Sequence, residues 1–285
     1  MKADYVIVGA GSAGCVLANR LTEDPGTRVV LIEAGGPDRN PLIHIPAGYM
    51  KLLDHPTLTW GYKAEADPGT NGRAIPYPRG RVLGGSSSIN GMIYVRGQPE
   101  DFDHWGQLGN HGWSWDDVLP FFKRAESWER GEDAFHGNSG PLLTSHASDQ
   151  PVLCHTMIEA GQQVGLEYHE DVNHLPPGSG DNIGWVQQTR RGRRRQSAAR
   201  TYLRAAKKRP NLQIVTGAQV HRVLLDDSRA VGVEYGRNGV VERVDAAREV
   251  ILSAGAIGSP HVLQLSGVGD PDHLGRVGIP VPANR

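Results

Sequence analysis

Gly9, Gly11 and Gly14 form a Gly-x-Gly-x-x-Gly spacing, directly after the apolar run 4–8 and directly before a stretch with helical periodicity. That context turns a weak pattern into a strand, turn and helix able to receive a pyrophosphate. Gly9 permits the tight turn, Gly11 lets the backbone approach the phosphates, and Gly14 allows the helix to pack closely on the strand. The amino terminus of the helix then offers N–H groups and a partial positive charge to the anion. At the end of a second apolar run stands Glu33, where a carboxylate can accept hydrogen bonds from both hydroxyls of a ribose. A carboxylate there disfavours a 2′-phosphate and hence NADP. These features do not separate FAD from NAD. A second glycine-rich stretch, residues 80–97, contains Gly84-Gly85-Ser86-Ser87-Ser88 and supplies a further set of backbone amides to an extended ligand. Taken alone it reads equally well as a Ser-rich helix cap.

The elements that must position these residues follow from hydrophobic period. Residues 4–8 and 28–32 read as strands buried on both faces of a parallel sheet, and 12–23 as the helix between them, which together make a βαβ unit. Residues 35–80 are rich in Pro and Gly without periodicity, which is long for a plain loop and suggests a segment wrapped over a ligand. Helices are expected at 99–106 and 114–126, the second with Ser114 as cap and Asp117 reaching back to it. A short strand, a helix at 152–164 and a Pro/Gly loop at 175–184 read as an insertion. A helix is then expected at 197–208, and strands at 212–216, 220–225, 230–235, 240–244 and 249–253, with a hairpin turn at 236–239. The last strand runs into another glycine turn and helix.

Lys and Arg number 30 against 31 Asp and Glu, so no global field draws the chain to nucleic acid or anionic lipid. Two cysteines, Cys15 and Cys154, offer neither a disulfide framework nor metal-ligand spacing, and point to a reducing, cytoplasmic setting. The apolar start is interrupted by glycines and preceded by Asp4, unlike a secretory signal, and no stretch is long and apolar enough for a membrane span. Neither a metal-binding histidine motif nor a nucleophile elbow is present among the motifs read. The cluster Arg190, Arg191, Arg193, Arg194 and Arg195 lacks interleaved aromatics and reads as a solvated loop rim.

The opening fingerprint, residues 80–97 and residues 255–269 together resemble, in order, the three N-terminal signatures of the glucose/methanol/choline oxidoreductase family. The likeness is greatest to bacterial choline-dehydrogenase-like members acting on primary alcohols. The resemblance implies an α/β, Rossmann-like FAD/NAD(P)-binding fold, with residues 1–140 and 195–285 forming the FAD-binding domain. Residues 141–194 would begin an inserted substrate-binding domain. It further implies FAD held by Gly9, Gly11, Ser12, Ala13 and Gly14 at the pyrophosphate, with Glu33 and Ala34 at the adenosine ribose and the Val220 backbone near the adenine. Arg81, Val82, Gly84, Gly85 and Ser86, then Asn90, Gly91, Met92 and Ile93, would run along the pyrophosphate and the isoalloxazine, with Ala254 and Gly255 completing the set. Trp60 matches a family aromatic near the flavin, although a core Trp is an equal reading.

Some members tether the flavin through a His at the position held here by Ile89, so dissociable FAD is expected. In the family, hydride passes from the alcohol carbon to flavin N5 while a C-terminal His takes the hydroxyl proton, and oxygen or a quinone then accepts the electrons. No residue here matches that His. An incomplete enzyme, with the closing residues 277–285 approaching a further family segment, is therefore expected. Two other readings stand beside it: a non-catalytic FAD-binding module, and a nicotinamide-dependent dehydrogenase or flavin reductase using the same fingerprint.

Overall fold

The computed structural model describes residues 1–146 and 150–280, so the last five residues of the closing stretch lie outside the described part. Two compact units result, Met1–Asn90 with Ser197–Arg285, and Gly91–Gln196.

The first unit is built on a six-stranded sheet. Its elements are β1 (Lys2–Val8), α1 (Ser12–Leu21), β2 (Val29–Glu33), β3 (Leu212–Thr216), β4 (Ala218–Asp226), β5 (Arg229–Arg237), β6 (Val240–Leu252) and α2 (Gly255–Leu265). The strand order is β3-β2-β1-β6-β5-β4. β3, β2, β1 and the second half of β6 run parallel, and β6, β5 and β4 form an antiparallel meander. All five residues of β2 are buried, as a central parallel strand requires. Val6, Val8, Val30, Ile32, Val215, Val233 and Val244 form the core of this sheet.

Two expectations change. The runs at 240–244 and 249–253 are one strand, because the intervening backbone stays in the ladder: Asp245 pairs with Gly232 on one side and Lys2 on the other. The Asp245 N–H also donates to the Met1 carbonyl at 2.9 Å. The helix expected at 197–208 forms over a shorter span and opens as a π-helix, Ala199–Leu203, which runs directly into the short α-helix Arg204–Ala206. Leu203 N–H reaches the Ala198 carbonyl five residues back, at 3.1 Å, and the Ala198 N–H is taken by Ser87 Oγ at 3.0 Å. The turn 236–239 is a tight hairpin with Asn238 and Gly239 both left-handed.

The second unit holds the helices Pro99–Gln107, Trp115–Ala125 and Val152–Gln163 and a small four-stranded sheet. The first two, which the sequence places in residues 1–140 with the fingerprint, fall in this unit. They group with the second unit because Phe102 packs on Trp115 and Phe122, and the Arg96 guanidinium lies 5.1 Å from the Phe122 ring. The Ser114–Asp117 capping box is formed.

Beneath these helices lies a buried charge cluster. Glu126 Oε2 accepts from Arg96 Nη2 at 2.7 Å and lies 2.8 Å from His136 Nδ1, while Thr144 Oγ1 donates to Glu126 Oε1 at 2.8 Å. Asp171 Oδ2 is 3.2 Å from His136 Nε2. Burial alone would depress the His136 pKa, but the hydrogen bonds and charges of Asp171 and Glu126 outweigh it and raise it to about 9. The arginine cluster is a hairpin, Arg190–Arg191 against Arg194–Arg195. Arg191, Arg193 and Arg194 are exposed, as a solvated rim requires, but Arg195 is only 1% exposed and its pKa falls to about 10 through burial. No helix among the described residues is long and apolar enough to cross a membrane.

Candidate functional site

The parallel strands of the first unit end level with one another. Val8 lies opposite Ile32 and Leu252, and Thr216 opposite Glu33. Ligands of open α/β sheets gather at this carboxyl edge, and three glycine-bearing loops meet there.

The first loop leaves β1 at Gly9, whose φ of +96° suits glycine; a Cβ there would fall 2.6 Å from the Ser253 carbonyl oxygen. A Cβ on Gly14 would lie 1.9 Å from the Gly9 carbonyl oxygen, so close helix-to-strand packing forbids a side chain. Gly11 is different. Its φ is −79°, which any residue can adopt, and a Cβ there would approach no atom closer than 4.0 Å. Ser12 and Ala13, in the first turn of α1, are exposed, and no side chain caps that helix.

The second loop carries Gly84 and Gly85, both left-handed. The Gly84 N–H donates to the Ala10 carbonyl at 2.7 Å, and a Cβ on Gly85 would lie 2.7 Å from Gly11 Cα, so the two loops touch backbone to backbone. Ser86 Oγ accepts from the Gly80 N–H at 3.1 Å, and Ser87 Oγ donates to the Gly84 carbonyl at 2.6 Å. Val82 is buried and bridges to Gly36. The third loop joins β6 to α2 through Ala254 and the left-handed, exposed Gly255. Ser253 Oγ lies 2.8 Å from the Gly9 carbonyl oxygen and donates to it, tying the third loop to the first.

Glu33 is 5% exposed, and both its oxygens are engaged: Oε2 accepts from the Ala10 N–H at 2.9 Å and Oε1 from the Gly35 N–H at 2.8 Å. Burial raises its pKa, opposed by the Gly35 and Ala10 hydrogen bonds and by the charge of Arg81. Ala34 follows it, partly buried. Arg81 holds its guanidinium 5.0 Å from the centre of the Trp60 ring, and its buried Nε has no hydrogen-bond partner. A buried guanidinium N–H left bare is costly and calls for an explanation.

The remaining expected residues are distributed as follows. Val220 is buried in the sheet core, and its carbonyl accepts from the Gln219 side chain at 3.4 Å. Asn90 is exposed, with its N–H on the Ser86 carbonyl at 2.9 Å. Gly91, Met92 and Ile93 belong to the second unit. There Met92 is buried in a left-handed conformation, φ +64°, unusual for a side chain of its size, and Ile93 is 62% exposed. Ile89 is 2% exposed among Ile43, Leu52, Leu58 and Val82.

Three residues of this framework escaped the sequence reading. A Cβ on Gly35 would lie 2.0 Å from the Arg81 carbonyl oxygen and one on Gly80 2.3 Å from that of Gly85, while Ser253 ties two loops. The signal available for the two glycines was their place at the ends of the irregular segment 35–80. Cys15, beside the first loop, is no nucleophile: burial, then the charge of Glu33, pushes its thiol up to about 12.

The family model for GMC oxidoreductases matches residues 3–280. The chain belongs to that family. The oxygen-dependent choline dehydrogenases of Sinorhizobium fredii and Rhizobium johnstonii are 46% and 47% identical to it over 285 residues, which is all of this chain and 51% of each relative. The chain thus spans about half the length of the curated relatives it matches. Pyridoxine 4-oxidase from Mesorbium loti superimposes with a TM-score of 0.91 at 40% identity, over 98% of this chain and 54% of that one. An FAD-dependent oxidoreductase from Chaetomium thermophilum follows at 0.89 and 33%, over 98% and 50%. The α/β architecture of the GMC oxidoreductases, expected from the three signatures, is the one observed.

Proposed function

We propose that this chain is the FAD-holding part of an oxidoreductase acting on the CH–OH group of primary alcohols. The observation that carries the reading is the meeting of three glycine loops near a guanidinium whose Nε has no hydrogen-bond partner. Gly11 is free of any constraint from the protein around it, so its missing side chain is explained by a ligand lying against the backbone. The Arg81 guanidinium, whose buried Nε has no hydrogen-bond partner, supplies a positive charge at the same edge. Both features fit a dinucleotide pyrophosphate.

When bound, FAD supplies the acceptor for a hydride leaving the alcohol carbon. The protein's own part is to bind and orient. The first turn of α1 would hold the phosphates through backbone N–H groups, Gly84 and Gly85, whose own N–H groups go to the Ala10 and Val82 carbonyls, would keep the second loop close to the first, and Arg81 would neutralise one charge. Glu33 keeps a lone pair on each oxygen for a ribose hydroxyl while tying Ala10 to Gly35. Asn90 would lie towards the isoalloxazine, and Val220 towards the adenine. Ile89 cannot form a covalent bond to the flavin and is packed in an apolar cluster, which supports dissociable FAD.

The name of the curated relatives favours oxygen over a quinone as electron acceptor. Placement in the cytoplasm rests on cysteine usage: Cys15 and Cys154 are both free. Titration with FAD, followed by flavin fluorescence, tests the reading. Stoichiometric binding that NAD does not displace is the result expected, and binding of NAD in place of FAD would move the chain among nicotinamide enzymes. Primary alcohols should perturb the spectrum of the bound flavin where ethers of equal size do not, which checks the substrate class.

A further inference from the structure

We propose that Trp60 acts on the cofactor through Arg81, as a positioning residue that holds the guanidinium in place, and that it makes no direct contact with the flavin. The inference rests on the reading that the cradle holds FAD. The backbone brings the two residues together: Thr59 bridges to Gly80, the Trp60 N–H donates to the Arg79 carbonyl at 3.0 Å, and the Arg81 N–H donates to the Leu58 carbonyl at 2.8 Å. On this ribbon Trp60 and Tyr62 stack with ring centres 5.8 Å apart and planes 3° from parallel, which fixes the indole. The guanidinium of Arg81 lies over that indole, 5.0 Å from its centre.

Among the described residues the guanidinium makes no hydrogen bond or ion pair; it lies over the Trp60 ring and interacts with Glu33 and Tyr62 through charge alone. Glu33, hydrogen-bonded to the Ala10 and Gly35 N–H groups, attracts it through charge without forming an ion pair with it. An aromatic face attracts a cation without using its N–H donors. Arg81 therefore stays oriented while its donors remain available to an anionic group. A flexible arginine would have to be ordered when the ligand binds, and holding it beforehand removes that loss.

A double-mutant cycle on FAD affinity decides the matter. Trp60→Leu should weaken FAD binding by roughly 3- to 30-fold, the range of a cation–π contact, and Trp60→Phe by less because a ring remains. In an Arg81→Ala background the Trp60→Leu change should shift affinity by less than about twofold, as it has lost the group through which it acts. Equal losses in both backgrounds would show that Trp60 touches the cofactor itself and overturn the proposal. If the Leu variant does not fold, the same cycle run with Trp60→Phe applies the same criterion. Absence of FAD binding by the unmodified protein would defeat the cofactor reading itself, a result distinct from equal losses in the two backgrounds.

Discussion

Glu33 Oε2 accepts a hydrogen bond from the Ala10 N–H at 2.9 Å, so the carboxylate at the end of β2 fixes the loop that leaves β1. Its other oxygen does the same for Gly35. Glu33→Gln would set an amide NH2 against one of these two N–H donors. The expected cost is about 1–3 kcal/mol of stability in the ligand-free protein, the price of a buried donor left unsatisfied. Denaturant unfolding without FAD measures it; an unchanged midpoint would mean that Glu33 serves the ligand alone.

Gly11 and Gly14 should behave in opposite ways. At Gly14 a methyl group would meet the Gly9 carbonyl oxygen at 1.9 Å, so Gly14→Ala should destabilise the ligand-free protein by about 3 kcal/mol or more. At Gly11 a Cβ would come no closer than 4.0 Å to Gly85 Cα and the Ser253 carbonyl oxygen, so ligand-free Gly11→Ala should unfold near the unmodified midpoint, and Gly11→Val should purify without yellow colour. Normal flavin content in Gly11→Val would remove the role given to the first loop.

The strand, turn and helix were legible because Gly9, Gly11 and Gly14 sit between two periodic runs, and their meaning depends only on neighbours in sequence. The double engagement of Glu33 was not, since it depends on the register that sets Val8 opposite Ile32. The same holds for the collision of Gly85 with Gly11, which joins segments far apart in the chain. Capping signals announced the helix Trp115–Ala125, yet they carry no record of the body on which a helix packs. Arg195 illustrates the remaining gap: a run of arginines looks uniformly solvated until one of them is found buried.

His136 makes stability depend on pH. Its pKa rises from 6.5 to about 9 in the folded protein, so its contribution is fully present below pH 6.5 and is lost as pH climbs through about 9. Thermal unfolding followed from pH 6.5 to beyond 9 should show a falling midpoint, and His136→Gln should flatten that fall. An equally steep fall in the variant would assign the dependence to other groups.

Glu126 sits between Arg96 and His136 with all three side chains buried. Glu126→Ala should therefore destabilise by about 3–5 kcal/mol, because two cationic groups lose their shared carboxylate inside the protein. Denaturant unfolding of the variant checks this, and a loss below about 1 kcal/mol would show that water reaches the cluster and screens it.

The most direct test of the central claim is to load the protein with FAD, remove the excess, precipitate it with acid and assay both fractions for flavin. One FAD per chain, released intact into the supernatant, is the result that the glycine cradle and the buried Ile89 predict. Failure to retain FAD before precipitation, or flavin remaining in the washed pellet, would contradict the account.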